Sequence, residues 1–354
     1  MLFFGILTCS KKPPAHITDR VKANADPKVE FFCFSPCAIE PISNQVNGYR
    51  FCKETTDWKE ASFPIPSILY DQCFYDTKEK RMKNKSIVNW LLAQPNLIFL
   101  NPGFSDKLTV YQTLQAAQNP ITLLPIQKIS RAQDGLIQLY QTGGLILQPA
   151  TDYSTSGQIY IRYTKTDYIF QIQKKEKRMT KTISSEAKCM TFLTQLLTHK
   201  TYVAQPIWQF YTKKHIPFLL RFLLQKSGNG QWQIAAKAAI LYPKSAWHES
   251  EQAEYYLSLH SFILQNFTRY DTKRMVQLST FALQAASILD DLLKTFELLL
   301  DIGIYTHMQP CLLHWNHKPT PQIRNKIMAY REIPDPDFPI PYAKFLFERQ
   351  ANKT

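Results

Sequence analysis

The chain has 354 residues, of which 45% are hydrophobic and 20% charged, a composition typical of folded globular proteins rather than of disordered ones. Its 42 basic and 28 acidic residues give a formal net charge of +14, which favours an acidic partner such as a nucleotide, a nucleic acid, an anionic polymer or a membrane surface. No run of about 18 apolar residues occurs, so we expect no membrane span.

The first third of the chain alternates short apolar runs with helical stretches, a pattern that predicts an α/β unit with a mostly parallel sheet. The opening run LFFGIL is predicted as a buried strand rather than a signal peptide, because no basic segment precedes it. The other predicted elements are strands at VEFFCF, 67–70 and 97–100, a basic polar stretch at 77–85 leading into a helix at 87–92, and a helix at 106–117.

The middle of the chain contains two hairpin signals. Strand-like runs at 157–163 and 168–173 are joined by Lys165-Thr166-Asp167, and runs at 218–225 and 232–240 flank Ser227-Gly228-Asn229-Gly230. The remaining predicted elements are the strand LILQP after Gly143-Gly144, a helix at 185–198, an aromatic-rich helix at 249–270, an amphipathic helix at 273–294, strands at 296–304 and 311–315, a proline-rich segment at 334–341 and a short last helix.

The seven cysteines are odd in number, irregularly spaced and without a CxxC pair. We therefore expect neither a disulfide framework nor a structural zinc site, but reduced, half-buried thiols in a cytosolic protein. Cys9 and Cys73 lie close to predicted strand ends. Nothing in the sequence links either of them to a histidine, so we expect buried structural thiols rather than a catalytic thiol.

The segments FPIPSILYDQCFY at 63–75 and LLQKSGNGQW at 223–232 are the most specific signals in the sequence. Through them the chain resembles the YheC/YheD family, endospore coat-associated proteins with an ATP-grasp fold. The other matching segments are 5–8, 44–51, 101–114, 145–149, 221–222, 296–303 and 312–319, so that the resemblance extends over nearly the full length.

The resemblance implies a mixed α/β chain with two domains. A Rossmann-like pre-ATP-grasp domain is expected at 1–120 and an ATP-grasp domain at 121–345, the latter with a small strand–strand–helix–strand sub-domain at about 144–206; residues 346–354 are expected to form a C-terminal tail. In this fold a lysine on a strand and a glycine-rich loop bind the ATP phosphates. An Asp/Glu, a Glu and an Asn on the last strands bind magnesium.

The ATP-binding positions that the resemblance implies are largely replaced. Gln148 stands where the family has a phosphate-binding lysine, and only Gly157 remains of the glycine-rich loop at 150–157. Backbone nests that bind phosphate need glycine, and glycine makes up only 10 of the 354 residues. Arg221 matches a basic position that would meet the triphosphate, and Lys237 is matched to another basic position.

The magnesium-binding positions are half retained. Asp301 matches the first acidic position and Asn316 the last position, but His314 replaces the glutamate between them. Magnesium prefers hard oxygen ligands over imidazole, so this set predicts a weak or lost site. A transition-metal site that also includes His317 is an alternative. Strand alternation places His317 on the opposite face, which favours a hydrogen-bonded polar cluster.

These replacements favour a coat-associated, non-catalytic scaffold or binding protein with weak or lost binding of ATP and magnesium. Its expected partners are spore coat components and, if the cleft is retained, a nucleotide; its expected location is the cytoplasm, in association with the forespore or spore coat. An active ATP-grasp ligase that joins a carboxylate to an amine is the first alternative. The second is a basic polymer- or nucleic-acid-binding module using the basic stretches at 78–85, 174–181 and 213–215, although no nucleic-acid-binding motif supports it.

Overall fold

The structure of the protein is a computed structural model. It describes residues 1–75, 78–102, 107–116, 121–150, 158–174, 177–207, 210–243, 255–267, 272–293, 295–304, 309–333 and 339–352. Within these ranges, no helix combines the length and apolar character that crossing a membrane requires. All seven cysteines lie in the described ranges as free thiols; four are buried, Cys52 is half-buried, and Cys9 and Cys37 are exposed.

The first part of the chain forms a seven-stranded sheet in the order β3-β4-β2-β1-β6-β7, with β5 paired to β4. Its strands are β1 (Leu2–Leu7), β2 (Val29–Phe34), β3 (Ile39–Glu40), β4 (Gln45–Cys52), β5 (Asp57–Pro64), β6 (Ile68–Asp71) and β7 (Ile98–Leu100). The predicted parallel pairing holds for β2-β1-β6-β7, whereas β3, β4 and β5 pair in antiparallel fashion. The hairpin of β4 and β5 was not predicted, because its strands are half exposed and mostly polar.

Three helices belong to this part of the chain: α1 (Ala15–Ala23), α2 (Lys78–Leu92) and α3 (Lys107–Ala116). The predicted division of α2 into a basic polar stretch and a short helix was wrong, since a single helix of 15 residues spans both. Lysine and glutamate are good helix formers on an exposed face, and the buried Val88 and Leu91 attach the helix to the sheet. The predicted helix at 106–117 is confirmed as α3.

The second sheet has six strands in the order β12-β11-β10-β9-β13-β8. They are β8 (Gln127–Ile129), β9 (Gly144–Pro149), β10 (Ile159–Tyr163), β11 (Tyr168–Lys174), β12 (Lys177–Ile183) and β13 (Tyr202–Pro206), and helices α4 (Ala132–Thr142) and α5 (Glu186–His199) pack against them. The predicted hairpin of β10 and β11 is confirmed, with Tyr163 opposite Tyr168 and Lys165 at φ +75° in the turn. Strand β12 was missed because its lysines and arginine indicate a solvated segment; as an edge strand, it accommodates them.

The third sheet has the order β17-β16-β15-β18-β19, with β14 paired to β15. Its strands are β14 (Phe210–Tyr211), β15 (Pro217–Lys226), β16 (Trp232–Leu241), β17 (Tyr255–Ser258), β18 (Glu297–Ile304) and β19 (Pro310–Asn316). The hairpin of β15 and β16 is confirmed, and Gly230 in its turn has φ +80°. The prediction of one helix at 249–270 was wrong for 255–258, which pair with β16; residues 249–254 lie outside the described ranges.

The two faces of the third sheet are covered by different helices. One face packs against α6 (Leu259–Asn266) and the long α7 (Thr272–Leu293), whose buried residues include Leu278, Phe281 and Leu289. The other face packs against α8 (Pro321–Met328) through Ile327. Side chains alternate along β15 and β18, so neighbouring residues enter different cores.

Two helices connect the sheets across long sequence distances. Helix α3 buries Val110 and Leu114 in the core beside α7, and α9 (Ile340–Ala351) buries Ile340 and Tyr342 in the core of the first sheet. The last helix therefore brings the end of the chain back to its beginning.

Candidate functional site

The candidate site centres on neighbouring residues of β15 and β18. Arg221 lies directly opposite Asp301 in the antiparallel register. The guanidinium Nε donates to Asp301 Oδ1 at 2.7 Å, and Nη2 donates to Oδ2 at 3.0 Å. The side chains are only 4% and 2% exposed, so the pair is removed from water. This is the bidentate geometry in which arginine and a carboxylate interact most strongly.

A third hydrogen bond and a tyrosine pair surround the guanidinium. Arg221 Nη1 donates to Tyr256 Oη at 2.9 Å, and Tyr330 Oη donates to the Tyr256 carbonyl at 2.7 Å. The two tyrosine rings are stacked, with centroids 6.2 Å apart. The resemblance matches Arg221 to a basic position that could meet a triphosphate; in the structure its donors face a carboxylate and a phenol.

The second basic position is also engaged within the protein. Lys237 Nζ on β16 lies 3.2 Å from a carboxylate oxygen of Glu332, and most of the lysine side chain is buried. Sequence reasoning missed Glu332, Tyr256 and Tyr330 as site residues. They lie on segments far from Arg221 in the sequence, and no motif marks them.

The other predicted metal-binding residues lie on β19 or directly after it. His314 is opposite Asp301 in the register, which shifts immediately after Asp301. Asn316 Oδ1 accepts a hydrogen bond from the Lys318 backbone N–H at 2.9 Å. His317 is buried and its Nε2 lies 3.0 Å from the Pro102 carbonyl oxygen, whereas His314 and Asn316 are half-buried.

The side chains at the predicted magnesium positions are engaged within the protein or offer nitrogen in place of oxygen. Both carboxylate oxygens of Asp301 accept from Arg221, the amide oxygen of Asn316 accepts from the backbone, and His314 offers an imidazole in place of a hard oxygen ligand. In the part of the chain that the structure describes, no three histidine, cysteine, aspartate or glutamate side chains are grouped to hold a metal ion.

The position predicted to lack the phosphate-binding lysine, Gln148, lies on the second sheet. Gln148 is half-buried on β9, opposite Val203 of β13, and offers an amide where the family has a charged lysine. The predicted loop position Gly157 lies outside the described residues, as do 151–156.

A second polar cluster lies where the first and third sheets meet. Glu297 on β18 accepts from Arg324 Nε at 2.9 Å and from the Gln225 side chain, and all three residues are buried. Lys318, just after β19, forms an ion pair of 2.7 Å with Asp71 at the end of β6. A small pocket separates the two ion pairs, so the ends of β6 and β19 meet through charged groups.

Comparisons with known proteins identify the same architecture. A family model described as YheC/D like ATP-grasp matches residues 96–346. Endospore coat-associated protein YheC of Bacillus subtilis (strain 168) is 28% identical over 241 residues, which cover 67% of this chain and 66% of that protein, just under two thirds of its length.

Solved structures agree in fold at low sequence identity. The D-alanine-D-alanine ligase from Coxiella burnetii has a TM-score of 0.58 at 9% identity, covering 99% of this chain and 95% of that one. D-alanyl-alanine synthetase A from Vibrio cholerae has a TM-score of 0.54 at 12% identity, covering 99% and 98%. ATP-grasp ligase PsnB in complex with a minimal precursor has a TM-score of 0.53 at 9% identity, covering 98% of each chain. At these identities the likeness shows the fold alone.

Proposed function

Because the chain belongs to the YheC/D-like ATP-grasp family, we propose that it is a non-catalytic member that serves as a scaffold or binding protein. In this proposal its cleft holds magnesium and ATP weakly or not at all. The observation that carries the proposal is the buried, bidentate pairing of Arg221 with Asp301, which engages the retained acidic residue of the metal set.

The energetics of this pair support the proposal. If Asp301 turned towards a magnesium ion, Arg221 would lose its carboxylate partner in a site almost without solvent. Leaving one member of a buried ion pair unpaired costs roughly 3–5 kcal/mol. An ATP complex would also lack the lysine contact that Gln148 replaces, worth roughly 1.5–3 kcal/mol for a hydrogen bond to a charged group. Together these terms oppose a metal–nucleotide complex of the ordinary kind.

The biological setting of the proposal comes from the relative. The Bacillus subtilis protein is named as endospore coat-associated. We propose that this chain likewise associates with the coat, through an acidic component that its net charge of +14 attracts. We also propose a pre-ATP-grasp domain at 1–120 and an ATP-grasp domain at 121–345.

Calorimetric titration with a non-hydrolysable ATP analogue tests the proposal, with and without magnesium, at physiological salt. We expect no magnesium-dependent heat up to millimolar nucleotide. Micromolar binding that disappears without magnesium would overturn the proposal and favour the ligase alternative.

Two variants show whether any magnesium-dependent binding occurs at the site of Asp301. If the ligase alternative holds, Asp301→Ala abolishes magnesium-dependent binding. The matched control is Asp134→Ala, since Asp134 pairs with Arg131 in an exposed ion pair at 2.8 Å on α4. The control should leave binding unchanged. Binding that survives Asp301→Ala would show that the nucleotide uses another site.

A further inference from the structure

Two cysteines follow neighbouring parallel strands at equivalent positions. Leu7, at the end of β1, is opposite Asp71, at the end of β6. The Gln72 backbone N–H donates to the Leu7 carbonyl at 2.9 Å, so the strands are still paired one residue further along. Cys9 and Cys73 each follow two residues after that last registered pair. The register therefore places them side by side at the carboxyl edge of the first sheet.

The loops after β1 and β6 bring the two cysteines next to each other, although 64 positions separate them in the sequence. Cys9 Sγ lies 4.0 Å from the carbonyl oxygen of Phe74, the residue that follows Cys73. Paired strands lie roughly 4.8 Å apart. Disulfides join Cα atoms about 4.4–6.8 Å apart, a range that includes this strand spacing.

The two members of the pair differ in access to solvent. Cys73 is 1% exposed, whereas Cys9 is exposed. The sequence-based prediction that both are buried was wrong for Cys9, because β1 ends two residues earlier and its continuation faces solvent. A reagent in solution therefore reaches Cys9 first.

The surroundings of the pair also distinguish the two thiols electrostatically. The hydrogen bond from Cys73 lowers the pKa of Cys9, and the ammonium groups of Lys318 and Lys80 lower it further, against burial and the Asp71 carboxylate. Burial is the main cause that raises the pKa of Cys73, and its hydrogen bond to Cys9 adds to the rise. Because the thiolate is the reactive form, Cys9 is the better nucleophile near neutral pH.

We propose that Cys9 and Cys73 form a redox-active pair, with Cys9 as the attacking thiol and Cys73 as the resolving thiol, whose oxidant is a low-molecular-weight disulfide. The Cys9 thiolate attacks one sulfur of the oxidant, forms a mixed disulfide and releases one thiolate. Cys73 then loses its proton and attacks the Cys9 sulfur, which forms the Cys9–Cys73 bond and expels the second thiolate. Two electrons leave the protein, and one small disulfide becomes two thiols.

The position of this bond connects it to the rest of the fold. The Cys73 backbone N–H donates to Asp71 Oδ1 at 2.8 Å, and the same oxygen pairs with Lys318. Oxidation would therefore fix the loops after β1 and β6 next to the ion pair that joins the first sheet to β19. The inference about the Cys9–Cys73 pair is independent of the proposed loss of magnesium–ATP binding, and its test requires no nucleotide.

The experiment treats the full-length protein with hydroxyethyl disulfide at neutral pH, blocks the remaining thiols with iodoacetamide and maps the cysteines by mass spectrometry under non-reducing conditions. In the wild type we expect a Cys9–Cys73 disulfide and only transient hydroxyethyl adduct on Cys9. In Cys73→Ala the adduct on Cys9 should accumulate. In Cys9→Ser, Cys73 should remain unmodified. Cys37→Ser, which removes a different exposed thiol, is the matched control and should behave as wild type.

A stable adduct on Cys9 beside a free Cys73 in the wild type would overturn the proposal. So would modification of Cys37 as fast as that of Cys9. Both readouts come from the wild-type protein, so the test does not depend on whether Cys73→Ala folds.

Discussion

Replacing Asp301 with asparagine keeps the size of the side chain and removes the charge that Arg221 faces. In the structure, the carboxylate accepts two hydrogen bonds from the guanidinium at 2.7 and 3.0 Å, and neither side chain is more than 4% exposed. In the variant, an arginine remains charged in a site that water barely reaches. One hydrogen bond to the asparagine oxygen remains possible, but the charge pairing is gone.

The size of the expected loss of stability follows from the burial of the Arg221–Asp301 pair. Breaking a buried ion pair by removing one partner typically costs about 3–5 kcal/mol. An exposed pair contributes about 0–1 kcal/mol, because water screens both charges. Asp134→Asn is therefore the matched control, since its partner Arg131 has a side chain that is 76% exposed. We expect Asp301→Asn to lower the free energy of unfolding by several times the effect of the control.

Hydrogen exchange measured by mass spectrometry gives the local readout. Backbone amides of β15 and β18, which pair beside Arg221 and Asp301, should exchange faster in Asp301→Asn by roughly two to three and a half powers of ten, taking 1.4 kcal/mol per tenfold change. Urea unfolding followed by tryptophan fluorescence should shift in the same direction. Peptides from the second sheet serve as an internal reference.

If Asp301→Asn lowered the free energy of unfolding by less than about 1 kcal/mol, as expected for an exposed ion pair, this reasoning would be refuted. It would mean that Arg221 is solvated or finds another partner at little cost. The energetic barrier to freeing Asp301 for a metal ion would then disappear, and with it the main support for the non-catalytic proposal.

Three further perturbations test other parts of the structure. Gly303→Ala would place a Cβ against the ring of Phe210, so we expect the free energy of unfolding in urea to fall by roughly 1–3 kcal/mol, and an unchanged value would contradict the close approach. Thr320→Ala removes the side-chain acceptor that caps α8 and should lower the free energy of unfolding by about 0.5–1 kcal/mol in the same assay. Lys344 holds the pKa of Asp26 below its usual value of 3.8, first through a hydrogen bond, so the contribution of this pair is present above that pH and lost below it. The difference in thermal midpoint between wild type and Lys344→Met should therefore be larger at pH 6 than at pH 3, and an equal difference would exclude the pair as its cause.

Local sequence patterns predicted many of the regular elements. Apolar runs such as LFFGIL and VEFFCF became buried strands, because a strand inside a parallel sheet is covered on both faces. The turn at 227–230 carries glycine where a positive φ is required, and it closes the predicted hairpin. These signals succeed because they depend on neighbouring residues.

Elements whose stability depends on distant partners were missed or misjudged. Strand β12 and the hairpin of β4 and β5 are polar, and only pairing with neighbouring strands makes them regular. Helix α2 was predicted too short, because its polar first half shows no apolar periodicity. Residues 255–258 were predicted helical, although their pairing with β16 makes them a strand.

The candidate site shows the same division. The sequence alone determined which residue types occupy the positions that the family resemblance matches to the ATP-grasp site: a glutamine at 148, a histidine at 314, Arg221, Asp301 and Asn316. Only the tertiary structure decided what these residues contact. Arg221 and Asp301 are 80 positions apart, and the register of β15 against β18 makes them partners. Sequence fixes the chemical groups, but the pairing of strands fixes the distances, and at a buried site the distance between charges decides whether they bind each other or a ligand.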